Sequence, residues 1–175
     1  QATIIKQSME LADVDPKRNP PRAVLSAISK AKNQLWDSRA MTKNADQDNF
    51  FEETCARVYH HYEEILTRNN ALDFDDLLMK SVQLLREFPE VRKKYQDRYQ
   101  YIMVDEFQDT NIAQYQLARF LAESHQNICV VGDPDQSIYS WRSADIRNIL
   151  SFQQDYPKSK TITLEIGRAS CRERV

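Results

Sequence analysis

Glycine is scarce in this sequence. Its 175 residues include only two glycines, Gly132 and Gly167. A phosphate-binding loop of the Gly-x-x-x-x-Gly-Lys-Ser/Thr kind needs two closely spaced glycines, because its backbone N–H groups must wrap around the phosphates. The sequence contains no such loop. If the chain takes part in nucleoside triphosphate chemistry, we expect that loop to lie upstream, in a longer protein. The first residue, Gln1 rather than Met, agrees with an internal fragment.

Cysteines, basic charge and long apolar runs are scarce too. Cys55 and Cys129 are the only cysteines before residue 166, and their spacing fits neither a metal motif nor a disulfide framework. We find no signal peptide and no run long enough to cross a bilayer, so we expect a cytoplasmic protein without a membrane partner. The formal net charge of −2 excludes a protein that coats nucleic acid through a generally basic surface.

The last ten residues have an unusual sequence. Residues 166–175 (Ile-Gly-Arg-Ala-Ser-Cys-Arg-Glu-Arg-Val) resemble the translation of a common short-read sequencing adapter. We therefore interpret them as a non-native tail and exclude them from fold reasoning, the alternative being a genuine divergent terminus. Without the three arginines and one glutamate of this tail, the formal net charge is −4. Any contact with nucleic acid therefore has to be local.

The apolar pattern changes near residue 70. Residues 1–68 have a helical pattern, including one helix that begins at Pro20-Pro21 and a longer one from Asp46 to Arg68. Beyond residue 70, helices are predicted from about residue 73 to 88 and over 90–98, 112–123 and 144–154. Strands are predicted over 100–104, 128–131 and 161–164. Alternating strands and helices indicate βαβ units and a parallel sheet, so the predicted class is α/β.

The helix after residue 72 begins with an acidic cluster. Asp73 is a suitable N-cap, and Asp76 three residues later suits a capping box. Asp73, Asp75 and Asp76 could instead be interpreted as metal ligands. Their spacing suits the start of a helix better, so we favour capping and packing.

Adjacent carboxylates follow the first predicted strand. The heptapeptide 105–111 (Asp-Glu-Phe-Gln-Asp-Thr-Asn) comes directly after an apolar run. Asp105, at the strand end, could hold Mg²⁺ that bridges the phosphates of ATP, and Glu106 could orient and deprotonate the attacking water. In isolation, an Asp-Glu pair could equally be a solvated loop or a helix cap. Residues 109–111 are all good N-cap types, and we assign them mainly to the turn.

A second polar segment follows the next predicted strand. Gln136 carries a side-chain amide that could sense the γ-phosphate of ATP. Tyr139, Trp141 and Arg142 follow within six residues, and aromatic rings can stack on any base without reading its sequence. Taken alone, the two aromatic residues could also be core residues. Both segments follow parallel strands, so we expect them at the carboxyl edge of the sheet, where open α/β folds bind ligands.

Three stretches carry a resemblance to a known family: residues 72–78 (LDFDDLL), 105–111 (DEFQDTN) and 131–142 (VGDPDQSIYSWR). Together they resemble the UvrD/Rep-like superfamily 1 DNA helicases, with a close match to the PcrA type. The resemblance runs from near residue 16 to Glu165 and departs from the family at Ser143, where a glycine is usual. It implies that residues 1–68 are part of an inserted helical subdomain and that residues 69–165 are the C-terminal part of the first RecA-like P-loop NTPase domain.

The resemblance also implies a function. The implied function is that of an ATP-dependent 3′–5′ DNA helicase or translocase in DNA repair or replication, with ATP and Mg²⁺ as cofactors. Its partners would be single-stranded DNA and single-strand/double-strand junctions. The implied site residues are Asp105 for Mg²⁺, Glu106 as the catalytic base, Gln136 at the γ-phosphate, and Tyr139, Trp141 and Arg142 for DNA.

Two alternatives stay open at this point. One is the helicase subunit of a recombination helicase–nuclease, and the other is a non-catalytic DNA-binding relative. Since the phosphate loop is missing, we expect the 175 residues alone to hydrolyse no ATP.

Overall fold

The computed structural model describes residues 1–46, 49–137, 144–145 and 147–164. The predicted DNA-binding residues Tyr139, Trp141 and Arg142, as well as Ser143 and the tail 166–175, lie outside the described residues. The described part contains these elements: α1 Ala2–Leu11, α2 Pro21–Asn33, α3 Ser38–Asn44, α4 Phe50–Arg68, α5 Phe74–Glu87, α6 Pro89–Arg98, β1 Ile102–Val104, α7 Ile112–Ala122, β2 Ile128–Val130 and α8 Arg147–Asp155. No helix within these residues is long and apolar enough to cross a membrane.

The first four helices pack around a shared apolar core. Helices α2 and α4 carry apolar residues three and four positions apart, which places those side chains on one face of each helix. The buried residues of this core include Ile5, Met9, Val24, Ile28, Cys55, Val58, Tyr59 and Tyr62. The helical pattern predicted for residues 1–68 is therefore confirmed. However, α4 begins at Phe50 rather than Asp46, because the side chain of Asn49 caps it by accepting the N–H of Glu52.

Helix α5 begins with the predicted capping box. The Oδ1 atom of Asp73 accepts the backbone N–H of Asp76 at 2.8 Å, and the Oδ2 atom of Asp76 accepts the N–H of Asp73 at 3.1 Å. This reciprocal pair satisfies two N–H groups that the start of a helix leaves without partners. Pro89 then occupies the first turn of α6, where a backbone N–H would have no acceptor within the helix.

Strands β1 and β2 pair in parallel, as the sequence predicted. Ile102 lies opposite Ile128 and Val104 opposite Val130. Helix α7 joins the two strands, and it packs with α8 so that Phe107, Tyr115 and Phe152 form a small aromatic core. Phe107 makes edge-to-face contacts with both other rings, at centroid distances of 5.7 and 5.6 Å. Phe107 belongs to the loop after β1, so this second core anchors that loop against α7 and α8.

The strand predicted over residues 161–164 is wrong. These residues form no strand in the described structure, and the side chains of Ile162 and Leu164 are 81% and 84% exposed. Alternating apolar residues favour a strand only where a neighbouring strand can accept and donate backbone hydrogen bonds. Within the described residues the sheet contains only β1 and β2, so residues 161–164 have no such neighbour.

Candidate functional site

The two polar loops predicted from the sequence lie side by side. The N–H of Val131 donates to the carbonyl oxygen of Val104 at 2.8 Å, which extends the strand pairing by one step. The N–H of Phe107 then donates to the carbonyl oxygen of Val131 at 2.9 Å. Both loops therefore leave the same carboxyl edge of the parallel pair, as expected.

Asp105 and Glu106 are both exposed at this edge. The Oδ1 atom of Asp105 accepts the N–H of Glu106 at 2.9 Å. Glu106 has φ 50° and ψ 42°, the left-handed region, before the short 3-10 turn Phe107–Asp109. That conformation costs a non-glycine residue about 1–2 kcal/mol. Strain of this kind is concentrated at functional sites, where surrounding contacts hold the backbone in place.

Gln108 joins the first loop to the second. Its side chain is only 1% exposed. Its Oε1 atom accepts the backbone N–H of Asp133 at 3.1 Å, and its Nε2 atom donates to Oε2 of Glu106 at 2.7 Å. The Gln108 side chain therefore bonds to the neighbouring loop and to Glu106 at the same time.

Gly132 makes the close approach of the two loops possible. A Cβ atom at this position would lie 2.5 Å from Oε1 of Gln108 and 3.2 Å from the backbone nitrogen of Phe107. Side chains larger than hydrogen therefore cannot fit without displacing the Gln108 amide. One of the only two glycines in the sequence lies at this position.

Gln136 lies in the second loop and is exposed. Its Nε2 atom donates to Oδ2 of Asp133 at 2.7 Å, while Oδ1 of Asp133 accepts the N–H of Asp135 at 3.0 Å. The structure thus places Gln136 in the neighbouring loop of the same edge. Its connection to Glu106 is indirect and passes through Asp133 and Gln108.

The first loop also holds the residues that follow the second loop. The carbonyl oxygen of Thr110 accepts the N–H of Asp145 at 2.9 Å and Nδ2 of Asn148 at 3.0 Å. Described residues on both sides of the segment 138–143 therefore bond to the heptapeptide: Asp133 bonds to Gln108, and Asp145 bonds to Thr110.

Asn111 connects the site to the helical half. It caps α7 by accepting the N–H of Gln114 at 2.9 Å, so among the three expected N-cap residues it is Asn111 that has this role. Its Nδ2 atom donates to Oδ1 of Asn33 at 2.5 Å, and Nδ2 of Asn33 donates to Oδ1 of Asp75 at 3.1 Å. These bonds hold together the end of α2 and the starts of α5 and α7.

A buried ion cluster lies beside that connection. The Nζ atom of Lys32 is 2.8 Å from a carboxylate oxygen of Asp73 and 2.8 Å from one of Asp76, and the side chain of Lys32 is fully buried. The hydroxyl of Tyr62 donates to Oδ2 of Asp73 at 3.0 Å. Burial acts to raise the pKa of Asp73, but the hydrogen bonds from Lys32 and from the backbone of Asp76 outweigh it and hold that pKa below its usual value.

Sequence reasoning missed Lys32, although a signal was present. Lys32 follows Val24 and Ile28 at intervals of four, which places it on the apolar face of α2. A lysine on such a face needs a buried acidic partner. The acidic cluster at the start of α5 was the available candidate.

The described residues fit a magnesium ion that arrives with a nucleotide. They contain no group of three or more His, Cys, Asp or Glu side chains that could hold a metal ion by themselves. Mg²⁺ in nucleotide sites is usually held by one or two carboxylates together with phosphates and water. Exposed at the end of β1, Asp105 is a ligand of that type. Among the described residues, Oδ1 of Asp109 in the adjacent turn is buried without a hydrogen-bond partner.

Comparison with known proteins identifies the family. The model of the UvrD/REP helicase N-terminal domain matches residues 1–157, so the chain belongs to this helicase family. Similar curated proteins are named ATP-dependent DNA helicase PcrA. The protein from Staphylococcus epidermidis is 50% identical over 165 residues, and those from Bacillus subtilis and Staphylococcus aureus are each 48% identical over 165 residues. Each match covers 94% of this chain but only 22% of the relative, so the chain spans about a fifth of the relatives' length.

Proposed function

We propose that this chain is part of an ATP-dependent 3′–5′ DNA helicase or translocase that acts in DNA repair or replication. The observation that carries the proposal is the carboxyl edge of the β1–β2 pair. There, Asp105 and Glu106 lie beside the loop of Gln136, with Gln108 bonded to both loops. The helicase family and the names of the relatives support the use of ATP and DNA.

We propose the domain organisation that the family resemblance of the sequence implies. Residues 1–68 are part of a helical subdomain inserted into the first RecA-like domain, and residues 69–165 are the C-terminal part of that domain. The separate apolar cores of the helical half and of the β1–β2 half support this division.

At this edge, each residue would have a defined role in ATP hydrolysis. Asp105 would hold Mg²⁺, which when bound with ATP neutralises charge on the β- and γ-phosphates. Glu106 would orient the attacking water and accept its proton, and the amide of Gln136 would contact the γ-phosphate. Phosphoryl transfer depends mainly on placing the water in line and on stabilising charge.

The coupling of hydrolysis to DNA would use the second loop. Tyr139 and Trp141 would stack on bases of single-stranded DNA, at about 1–3 kcal/mol per base, and Arg142 would stack on a base or bind a phosphate. The described residues on both sides of this segment bond to the heptapeptide, at Gln108 and at Thr110. These two bonds support a coupling of the nucleotide site to single-stranded DNA or a single-strand/double-strand junction.

The first experiment is the Glu106→Gln substitution in the full-length protein. The amide cannot accept the water's proton, so we expect DNA-stimulated ATP turnover to fall by roughly 10²–10⁴-fold while ATP binding is retained. Glu90→Gln is the matched control, because Glu90 is an exposed carboxylate in the first turn of α6. Wild-type turnover in Glu106→Gln would remove Glu106 as the base. Wild-type protein that binds DNA without hydrolysing ATP would indicate the non-catalytic alternative.

A further inference from the structure

Gln108 bonds to both loops of the candidate site. Its buried amide donates to the carboxylate of Glu106 at 2.7 Å and accepts the backbone N–H of Asp133 at 3.1 Å. We propose that Gln108 is a positioning residue, which holds the carboxylate of Glu106 in place and ties that placement to the second loop. The inference rests on the proposed function, in which Glu106 is the general base.

The chemistry of the two partners explains why this position is a glutamine. The backbone N–H of Asp133 can only donate a hydrogen bond, and an ionised Glu106 carboxylate can only accept one. A primary amide satisfies both partners at once, and in only one orientation. At the same position, leucine would satisfy neither partner, while glutamate would place a second carboxylate against Glu106.

The surroundings hold the amide in this orientation. Gln108 is buried, so water competes little for its hydrogen bonds, and the bond to the charged Glu106 is of the stronger, charge-assisted kind. Gly132 contributes no Cβ atom where Oε1 of Gln108 lies. The Glu106 side chain is otherwise exposed and has several rotatable bonds, so the bond from Gln108 restricts its position.

These contacts also form a continuous chain between the two predicted functional groups. The amide of Gln136 donates to the side chain of Asp133 at 2.7 Å, and the backbone of Asp133 donates to Gln108, which donates to Glu106. Gln136 and Glu106 are thus linked indirectly, by three hydrogen bonds that pass through Asp133 and Gln108. Gln108 is the central link of that chain.

The test compares Gln108→Leu and Gln108→Glu in the full-length protein. We expect Gln108→Leu to lower kcat for DNA-stimulated ATP hydrolysis by roughly 10–100-fold, with KM for ATP changed less than about threefold, because water placement is lost and nucleotide contacts are kept. Gln108→Glu keeps an acceptor for the backbone N–H of Asp133 but replaces the donor to Glu106 by a second carboxylate. We therefore expect kcat to fall at least as far as in Gln108→Leu, again with little change in KM for ATP.

A second glutamine of this chain provides the matched control. Gln96 is also buried, and its Nε2 atom donates to the carbonyl oxygen of Phe120 at 2.6 Å, outside the two loops. Gln96→Leu and Gln96→Glu should lower the Tm while kcat and KM for ATP stay close to their wild-type values. A purely structural role of Gln108 would give the same result as these controls.

The outcomes separate the inference from the proposed function. Wild-type kcat in Gln108→Leu or in Gln108→Glu would overturn the positioning role. The Glu106→Gln variant belongs in the same series. If the wild-type protein shows no DNA-stimulated ATP hydrolysis, the proposed function itself fails. If Glu106→Gln retains turnover, Glu106 is not the base and the positioning role falls with it. If Glu106→Gln abolishes turnover while both Gln108 variants behave as wild type, only the positioning role fails.

Discussion

Replacement of Lys32 by methionine tests the buried ion cluster most directly. The substitution removes the ammonium that lies 2.8 Å from both Asp73 and Asp76, and it leaves two buried carboxylates without that cation. Breaking a buried ion pair from one side costs about 3–5 kcal/mol. That is a large part of the roughly 5–15 kcal/mol that stabilises a typical domain.

The assay is urea unfolding of the chain, followed by its helical circular dichroism. With a slope of about 2 kcal/mol per M, the expected loss lowers the unfolding midpoint by about 1.5–2.5 M. Lys30→Met is the control, because Lys30 is exposed on the same helix. A surface substitution of this kind should change the free energy of unfolding by about 0.5 kcal/mol or less.

The pH dependence distinguishes a charge effect from a packing effect. In the wild type the pKa of Asp73 is lowered, so its contribution is present at neutral pH and is lost as the pH falls below about 4. In Lys32→Met, burial without the cation raises the pKa of Asp73, so protonation stabilises the variant as the pH falls. The difference in stability between the two proteins should therefore narrow from pH 7 to pH 4. A difference that stays constant with pH, or a loss no larger than that of Lys30→Met, would refute the reasoning.

Two further predictions concern the loop contact and the buried thiol. Gly132→Ala should displace the Gln108 amide, which would lower the free energy of unfolding by about 1–3 kcal/mol and reduce ATP turnover in the full-length protein. Ser137→Ala is the control. An unchanged unfolding midpoint and an unchanged ATP turnover rate in Gly132→Ala would show that the loops tolerate a Cβ atom. Burial raises the pKa of Cys55 to about 12, whereas Cys129 is exposed. At neutral pH, mass-mapped alkylation of the folded chain should therefore modify Cys129 well before Cys55, and equal rates would contradict the core position of Cys55.

Local signals in the sequence were sufficient for most of the secondary structure. The capping box of Asp73 and Asp76 was predictable because its two partners lie three residues apart within one helical turn. The parallel arrangement of β1 and β2 was predictable because a helix separates them, and it placed the loops of Asp105 and Gln136 at one edge. The strand expected over residues 161–164 failed because a strand depends on a neighbour as well as on its own residues.

The sequence by itself determined the family, the helical and parallel-strand elements, and the residues proposed for chemistry. Only the tertiary structure decided which distant groups meet: Gln108 with Asp133, Lys32 with Asp73, and Asn33 with Asn111. These partners lie 25, 41 and 78 residues apart. Hydrogen bonds act over about 3 Å, so such pairs exist only once packing has brought separate elements together. Periodicity and capping act within a few residues: they place Lys32 on the apolar face of α2, but they do not specify which distant residue it meets.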